Sequence, residues 1–243
     1  MAAPLYNVAS IKLFKSCYQG PGCIELFSAR GNNPVKYWKL SGAPSGIRRE
    51  YSKNLRGLVY CLDAGSRTVK MRMPADETMS LSINQRFLVF QVKVPDKKYF
   101  CLEIGVTDSD NIQRRLYFST MRRQFCASSL LNAKIPFIGL QPDVWSTLFI
   151  DLYSFGSVFT TKASLTLNDV TVHANCEIRR IFTMEPQIET SKIGMFLDEK
   201  ALTEMVPRSC VFPGHVTNVA QILDLQSFRK ETILEKEPEK AVS

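Results

Sequence analysis

The chain has 243 residues and a formal net charge of +8, with 45% hydrophobic and 22% charged residues. This composition supplies a sizeable core, and no stretch approaches the roughly 18 to 20 continuous apolar residues that a membrane-spanning helix needs. The first residues lack the basic start and apolar run of a signal peptide, so we expect a cytoplasmic protein with no membrane partner.

Alternation of apolar and polar residues, the pattern of half-buried β-strands, begins early in the chain. The first clear strand is predicted at 24–28. The next two, 57–62 and 68–73, flank the turn-forming residues 63–66, and this short spacing predicts a hairpin. The segment 86–94 is rich in phenylalanine and valine and is followed by a proline, which also predicts a strand.

The alternation continues through the middle of the chain. Within 99–106, the residues expected to share one buried face are Phe100, Leu102, Ile104 and Val106. Further strands are predicted at 111–119, 145–152, 164–172 and 177–184. About nine short strands separated by polar turns predict an all-β sandwich or barrel.

The pattern changes near residue 186, and we treat 186–243 as a C-terminal extension. Its first part has weak periodicity and is expected to be extended along the surface. A short helix is predicted near 217–230, because a capping residue precedes apolar residues at helical spacing. The final residues, around 235–240, are charged and poor in apolar side chains, so a disordered end is expected.

Charge is distributed unevenly between these two parts. Residues 1–185 contain 24 Lys and Arg against 14 Asp and Glu, whereas residues 186–243 contain 7 against 9. A basic body favours a polyanionic partner, which could be a nucleic acid, an anionic membrane surface or an acidic protein surface. Charge alone does not choose among these partners.

Adjacent arginines occur twice inside apolar strand runs and once in the segment between them. Because successive side chains of a strand point to opposite faces, one member of each strand pair should face solvent and the other should point inward or across the sheet. A single pair is typical of a solvated strand end that discourages aggregation. Together, the three pairs predict a basic surface that contacts an acidic partner. Its candidate residues are Arg114, Arg115, Arg122, Arg123, Arg179 and Arg180.

Residue types that serve catalysis or metal binding are sparse. Only two histidines occur, His173 and His215, and we expect His173 to order the turn beside it through backbone hydrogen bonds. The seven cysteines include no C-x-x-C pair, which argues against a disulfide framework and against a zinc site of that spacing. Because nucleotide-binding and hydrolase motifs are also missing, we expect no enzymatic activity and no cofactor.

A carbohydrate-binding sandwich or a degenerate enzyme is a further alternative. It would need exposed aromatic side chains as a stacking platform, with Trp38 and Trp145 as the main candidates. Aromatic residues within β runs more often belong to the core. Burial of both tryptophans would count against the platform.

Several segments together resemble the cilia- and flagella-associated protein 20 domain family. The segment 172–182, V-H-A-N-C-E-I-R-R-I-F, resembles the family's signature, and 108–119 resembles a second motif with paired arginines. The resemblance covers about residues 14–185, which we take as the β-domain. Weaker matching segments are Phe14 with 18–20, 24–29, Trp38 with Lys39, 81–92 and 145–152. Residues 205–210 look like the continuation found in the larger "domain-containing" relatives.

This resemblance implies an antiparallel β-sandwich of jelly-roll type. It also implies a non-enzymatic structural protein of the ciliary or flagellar axoneme or the centriole, within the cytoskeleton. The expected partners are tubulin in microtubules and neighbouring axonemal or centriolar proteins, with a role such as stabilising doublet microtubules at their inner junction. The alternative is a nucleic-acid-binding or nuclear adaptor protein that uses the same basic face.

Overall fold

Short β-strands dominate the part of the chain that a computed structural model describes, which is residues 11–12, 22–65, 68–129, 131–156, 158, 165–186, 198–225 and 227. The strands are β1 Ile11–Lys12, β2 Gly22–Ser28, β3 Lys39–Ser41, β4 Ile47–Ser52, β5 Gly57–Leu62, β6 Lys70–Met73, β7 Met79–Ser80, β8 Phe87–Lys93, β9 Cys101–Asp108, β10 Gln113–Ser119, β11 Cys126–Ser129, β12 Asn132–Pro136, β13 Trp145–Asp151, β14 Leu165–His173, β15 Cys176–Glu185 and β16 Asn218–Leu223. The helices are α1 Leu152–Gly156 and α2 Glu199–Met205, with a 3₁₀ turn at Pro44–Gly46. No helix within these ranges is long and apolar enough to cross a membrane.

Most of the strands form two large sheets that face each other, while β1 and β7 pair in parallel as a separate two-stranded sheet. Sheet I has the order β11-β12-β10-β9-β14-β6-β3, and sheet II has the order β16-β13-β8-β15-β5-β4, with β2 paired to the second half of β15. This arrangement confirms the predicted all-β sandwich. The sheets are nevertheless mixed rather than purely antiparallel, because β12 runs parallel to β10 and β16 runs parallel to β13.

The main core lies between the sheets and follows the alternation of the sequence. In β9, Leu102, Ile104 and Val106 are fully buried, together with Phe100 just before it, as predicted. Removing apolar surface from water on this scale is the dominant favourable contribution to folding. The core fixes the inward face of each central strand and leaves the opposite face available for other contacts.

Strand β8 is buried on both of its faces. Leu88, Phe90 and Val92 point into the main core, whereas Phe87 and Val89 belong to a second cluster on the outer face of sheet II. The C-terminal segment 198–225 covers that outer face. It was expected to begin as an extended segment, but it includes the helix α2, which corrects that expectation over Glu199–Met205. It contributes these buried residues: Leu202, Val206, Cys210, Phe212 and Val216.

The helix predicted near 217–230 is wrong over most of its described part. Residues Asn218–Leu223 form β16, which pairs in parallel register with β13 from Trp145 to Ile150. The apolar spacing fits a helix, but the open edge of β13 satisfies the backbone donors and acceptors of this segment. Residues 226 and 228–230 of the predicted helix and the predicted disordered end lie outside the described residues.

The hairpin predicted from 57–62 and 68–73 is also wrong. Strand β5 pairs with β4 and β15 in sheet II, whereas β6 pairs with β14 and β3 in sheet I. The connection therefore crosses from one sheet to the other. Turn residues between two apolar runs indicate where the chain reverses, but they do not show whether the two runs pair.

Candidate functional site

The six predicted contact arginines are placed very differently by the fold. Arg114 is buried near the start of β10, and its guanidinium donates through Nε and Nη2 to Asp108 Oδ2 at 2.8 and 2.6 Å. Burial opposes ionisation of Asp108, but hydrogen bonds from the Ile112 and Asp110 amides and from Arg114 lower the pKa of this carboxyl below its ordinary value. Arg114 therefore belongs to a buried ion pair, which corrects its prediction as a contact residue.

Arg115 lies on the opposite face of the same strand, as the alternation predicts. Its side chain is 38% exposed, and Nη1 lies 3.1 Å from Asp169 Oδ1 and 3.9 Å from Glu103 Oε2. Gly105 makes room for this arrangement, since a Cβ on it would lie 2.1 Å from Asp169 Oδ2. The Arg115 side chain is therefore only partly accessible to a partner, and its charge is already compensated by Asp169 and Glu103.

Both members of the pair Arg179–Arg180 are buried, which corrects the expectation that one would face solvent. A β-bulge brings both side chains beside Cys210, because the register of β15 against β8 shifts between Ile178 and Arg180, and the C-terminal segment covers them there. An extra residue in a strand disturbs the simple alternation of faces. The sequence pattern could not show this insertion.

The buried pair anchors the C-terminal segment to sheet II. Arg179 donates to the carbonyl oxygens of Cys210 and Val211 at 2.8 and 3.0 Å, and its guanidinium lies 4.9 Å from the centre of the Phe212 ring. Arg180 is paired with Glu25 of β2. Burial, with the nearby charges of Arg180 and Arg30, lowers the pKa of Arg179 to about 10, which leaves it protonated at neutral pH. These two residues therefore perform a structural role.

Arg122 and Arg123 are the predicted residues that remain fully accessible. They follow β10 in the turn before β11, where both side chains are exposed. Within the part of the chain that the structure describes, neither forms an ion pair. Of the predicted surface, the structure therefore leaves these two arginines, with Arg115 partly exposed, in positions that could contact an acidic partner.

A second exposed basic cluster was missed at the sequence level. It includes another adjacent pair, Arg48 and Arg49 in β4, and three further cations, Arg30, Lys53 and Arg56. The signal was present in the sequence, since the run I-R-R-E-Y-S has too few apolar residues for a central strand. A strand of this kind is typical of a sheet edge.

Contacts hold this cluster together around β4. Arg49 donates to the carbonyl oxygens of Ala29 and Gly31, each at 3.0 Å, so the turn after β2 lies against β4. Arg48 Nε lies 2.7 Å from Glu50 Oε1. A Cβ on Gly57 would be 3.6 Å from Arg30 Nη2, which places Arg30 beside the start of β5. We call Arg30, Arg48, Arg49, Tyr51, Lys53 and Arg56 the β4 edge cluster.

His173 makes a different contact from the one predicted. Its Nε2 lies 2.7 Å from Glu103 Oε1, so its side chain partner is a carboxylate on the neighbouring strand. The hydrogen bond from His173 lowers the pKa of Glu103 despite its partial burial, which keeps Glu103 ionised at neutral pH. Among the residues that the structure describes, no three metal-ligating side chains come together.

The two tryptophans do not form a stacking platform. Trp38 and Trp145 are 5% and 1% exposed. Trp38 Nε1 donates to the Leu26 carbonyl at 3.1 Å, and Trp145 packs against Phe212 of the C-terminal segment. Burial of both rings removes the observation on which the carbohydrate-binding alternative depended.

Comparison with known proteins identifies sequence relatives. The model of the CFA20 domain matches residues 13–195. Cilia- and flagella-associated protein 20 of Chlamydomonas reinhardtii is 30% identical over 70% of this chain and 87% of its own length, and the Paramecium tetraurelia protein of that name gives the same figures. WD repeat-containing protein 90 of Homo sapiens is 25% identical over 74% of this chain, a match that covers 11% of the human protein.

Two solved structures resemble the chain weakly. An agarase aligns over 75% of this chain and 30% of its own, with 8% identity and a TM-score of 0.38. A cellulase derived from a Rhodothermus marinus enzyme aligns over 68% of this chain and all of its own, with 10% identity and a TM-score of 0.36. Likenesses of this size carry no argument about function.

Proposed function

This chain belongs to the CFA20 domain family, and from that premise we propose that it is a non-enzymatic structural protein of the ciliary or flagellar axoneme. Its relatives at 30% identity are cilia- and flagella-associated proteins, which supports a ciliary or flagellar location. The observation that carries the proposal is the family match, which extends over residues 13–195 and thus over most of both sheets.

The proposed partners are tubulin in microtubules and neighbouring axonemal or centriolar proteins. An acidic protein surface suits the basic body of the chain, because residues 1–185 contain 24 Lys and Arg and only 14 Asp and Glu. The exposed pair Arg122 and Arg123 provides the proposed contact, and Arg115, which lies toward the other end of β10, is a partly exposed addition to it. Stabilisation of doublet microtubules, for instance at the inner junction, is the role that we propose for this contact.

Charge complementarity of this kind acts mainly on association rate and orientation. Among the described residues, neither Arg122 nor Arg123 forms an ion pair, so each loses little by turning toward a partner carboxylate. Arg115 contributes less to the contact than Arg122 and Arg123, because Asp169 and Glu103 already compensate its charge. The contact should accordingly weaken with salt, since exposed charges are screened within about 8 Å at physiological ionic strength.

Imaging of a tagged chain in ciliated cells tests the proposal. The expected result is a continuous signal along the axoneme or at the centrioles that survives detergent extraction of the membrane. The double variant Arg122→Glu/Arg123→Glu should lose part of this signal, whereas Lys200→Glu/Arg208→Glu, which alters exposed cations of the C-terminal segment, should keep it. A nuclear signal for the unmodified chain would instead support the nucleic-acid or nuclear adaptor alternative.

A further inference from the structure

Strand β4 leaves backbone groups available at the outer edge of sheet II. It is the last strand of that sheet, and β5 is its pairing partner among the described residues. The Asp63 amide donates to the Gly46 carbonyl at 2.8 Å, so these opposed residues form a hydrogen-bonded pair. Hydrogen-bonded and non-hydrogen-bonded pairs alternate in an antiparallel ladder. Residues 48, 50 and 52 therefore bond to β5, whereas residues 47, 49 and 51 turn their backbone groups outward.

One of these outward amides is already used. The Ile47 amide donates to the Pro44 carbonyl in the 3₁₀ turn. Arg49 and Tyr51 then present the outward donors and acceptors of the strand, and both side chains are exposed, that of Tyr51 by 64%. A row of outward N–H and C=O groups on an exposed edge strand is a template for adding another strand.

Cations outnumber carboxylates around this edge, although Glu50 and Asp63 lie near Arg48. The β4 edge cluster contributes five cations, and the acidic residue of β4, Glu50, is paired with Arg48. Lys53 and Arg56 lie in the exposed turn that leads from β4 into β5. Positive charge also protects an edge from pairing with a copy of itself, because two such edges repel each other. The same charge attracts a strand that carries carboxylates.

We propose that the β4 edge binds an acidic extended peptide segment of another protein, which adds to sheet II as a strand beside β4. The peptide backbone bonds to Arg49 and Tyr51, and its carboxylates lie near Arg48, Arg49 and the turn cations. A nucleic acid would use the cations but has no amide ladder to match the outward backbone groups. The inference goes beyond the proposed function, since it requires neither a microtubule nor Arg122 and Arg123.

The charge component is tested by fluorescence anisotropy with a labelled peptide of about ten alternating Glu and Thr residues, a length typical of longer strands. The variant Lys53→Glu/Arg56→Glu should bind at least about tenfold more weakly than the unmodified chain. The matched control is Lys97→Glu/Lys98→Glu in the β8–β9 turn, which makes the same charge change. Arg56 and Lys97 also share a positive φ, 47° and 56°. If both variants lost the same affinity for the peptide, the loss would be a general charge effect, and the proposed site at the β4 edge would be wrong.

The strand component is tested by two variants at one position. Tyr51→Thr and Tyr51→Pro both remove the ring, but only proline removes the outward amide, and an edge strand tolerates proline at such a position. Both variants should keep the circular dichroism spectrum and melting temperature of the unmodified chain within a few degrees, and Tyr51→Pro should bind the peptide several-fold more weakly than Tyr51→Thr. Equal binding by the two folded variants would overturn strand addition.

Two competitors identify the class of ligand. A peptide of equal charge with proline at every second position cannot form a ladder and should compete poorly. A single-stranded oligonucleotide of matched charge should also compete poorly. If either competitor displaced the Glu/Thr peptide as well as the unlabelled peptide does, the edge would be a non-specific anion site and the proposal would be wrong.

Discussion

The guanidinium of Arg179 donates to the backbone carbonyl of Cys210 at 2.8 Å, and this bond ties β15 to the C-terminal segment. The amide of Gln91 donates to the same carbonyl at 2.6 Å. Arg179 also donates to Val211 at 3.0 Å. A residue that resembled a contact site at the sequence level therefore holds a covering segment over the outer face of sheet II.

Arg179→Met should destabilise the protein by about 1–3 kcal/mol, because the Val211 carbonyl and Gln91 Oε1 lose the donor that Arg179 supplies, while Gln91 still donates to Cys210. Amide hydrogen exchange within 202–216 should become faster in the variant than in the unmodified chain, whereas exchange in β9 should change less. Urea denaturation and exchange mass spectrometry provide the two readouts, with the exposed Arg123→Met as the control. Unchanged exchange in 202–216 would show that Arg179 does not anchor the segment.

Asp108→Asn should destabilise the protein by about 3–5 kcal/mol, since it breaks the buried ion pair between Asp108 and Arg114. Asparagine keeps the size of the side chain, so lost packing contributes little. Asp110→Asn is the matched control in the same turn, where the side chain is exposed. Equal unfolding midpoints for the two variants in urea would contradict the assigned ion pair.

Stability should fall in acid below about pH 4, the ordinary range of a carboxyl group in an unfolded chain. The folded-state pKa values of Asp108 and Glu103 are lowered, so the native state binds fewer protons than the unfolded state at these pH values. Their contribution is complete above the unfolded pKa and is lost as pH falls through the folded pKa. Urea midpoints measured from about pH 7 to about pH 3 should show this loss, and Asp108→Asn should make it shallower.

Gly105→Ala should destabilise the protein by about 1–3 kcal/mol, because the added methyl group collides with the Asp169 carboxylate that pairs with Arg115. Gly214→Ala is the control, as a Cβ at Gly214 meets nothing within 4 Å. Thermal unfolding of the two variants measures the difference. A melting temperature for Gly105→Ala equal to that of the control would indicate that the carboxylate moves aside without cost.

The sequence predicted the all-β sandwich because alternation in strands such as β9 directly reflects burial on one face. It did not predict which strands pair, since pairing of β5 with β15 depends on contacts more than a hundred residues apart. The helix near 217–230 failed for the same reason, because the edge of β13 decides the conformation of β16.

The candidate site was predicted less well than the fold. Adjacent arginines looked alike in the sequence, yet the fold treats them differently. Arg114 is buried in an ion pair with Asp108, Arg179 and Arg180 are buried beneath the C-terminal segment, and Arg122 and Arg123 are exposed in a turn. These outcomes depend on the tertiary partners of each side chain. The β4 edge cluster could have been found, since four of the six residues of β4 are polar or charged.

Binding to microtubules through Arg122 and Arg123 is tested most directly by co-sedimentation of the purified protein with taxol-stabilised microtubules. Thermal unfolding first establishes that all variants are folded. The account predicts that the unmodified chain and Lys200→Glu/Arg208→Glu pellet with microtubules, that Arg122→Glu/Arg123→Glu binds at least about tenfold more weakly, and that subtilisin removal of the acidic tubulin tails weakens binding of the unmodified chain. Pelleting of Arg122→Glu/Arg123→Glu at the level of the unmodified chain, or no pelleting of the unmodified chain, would contradict it.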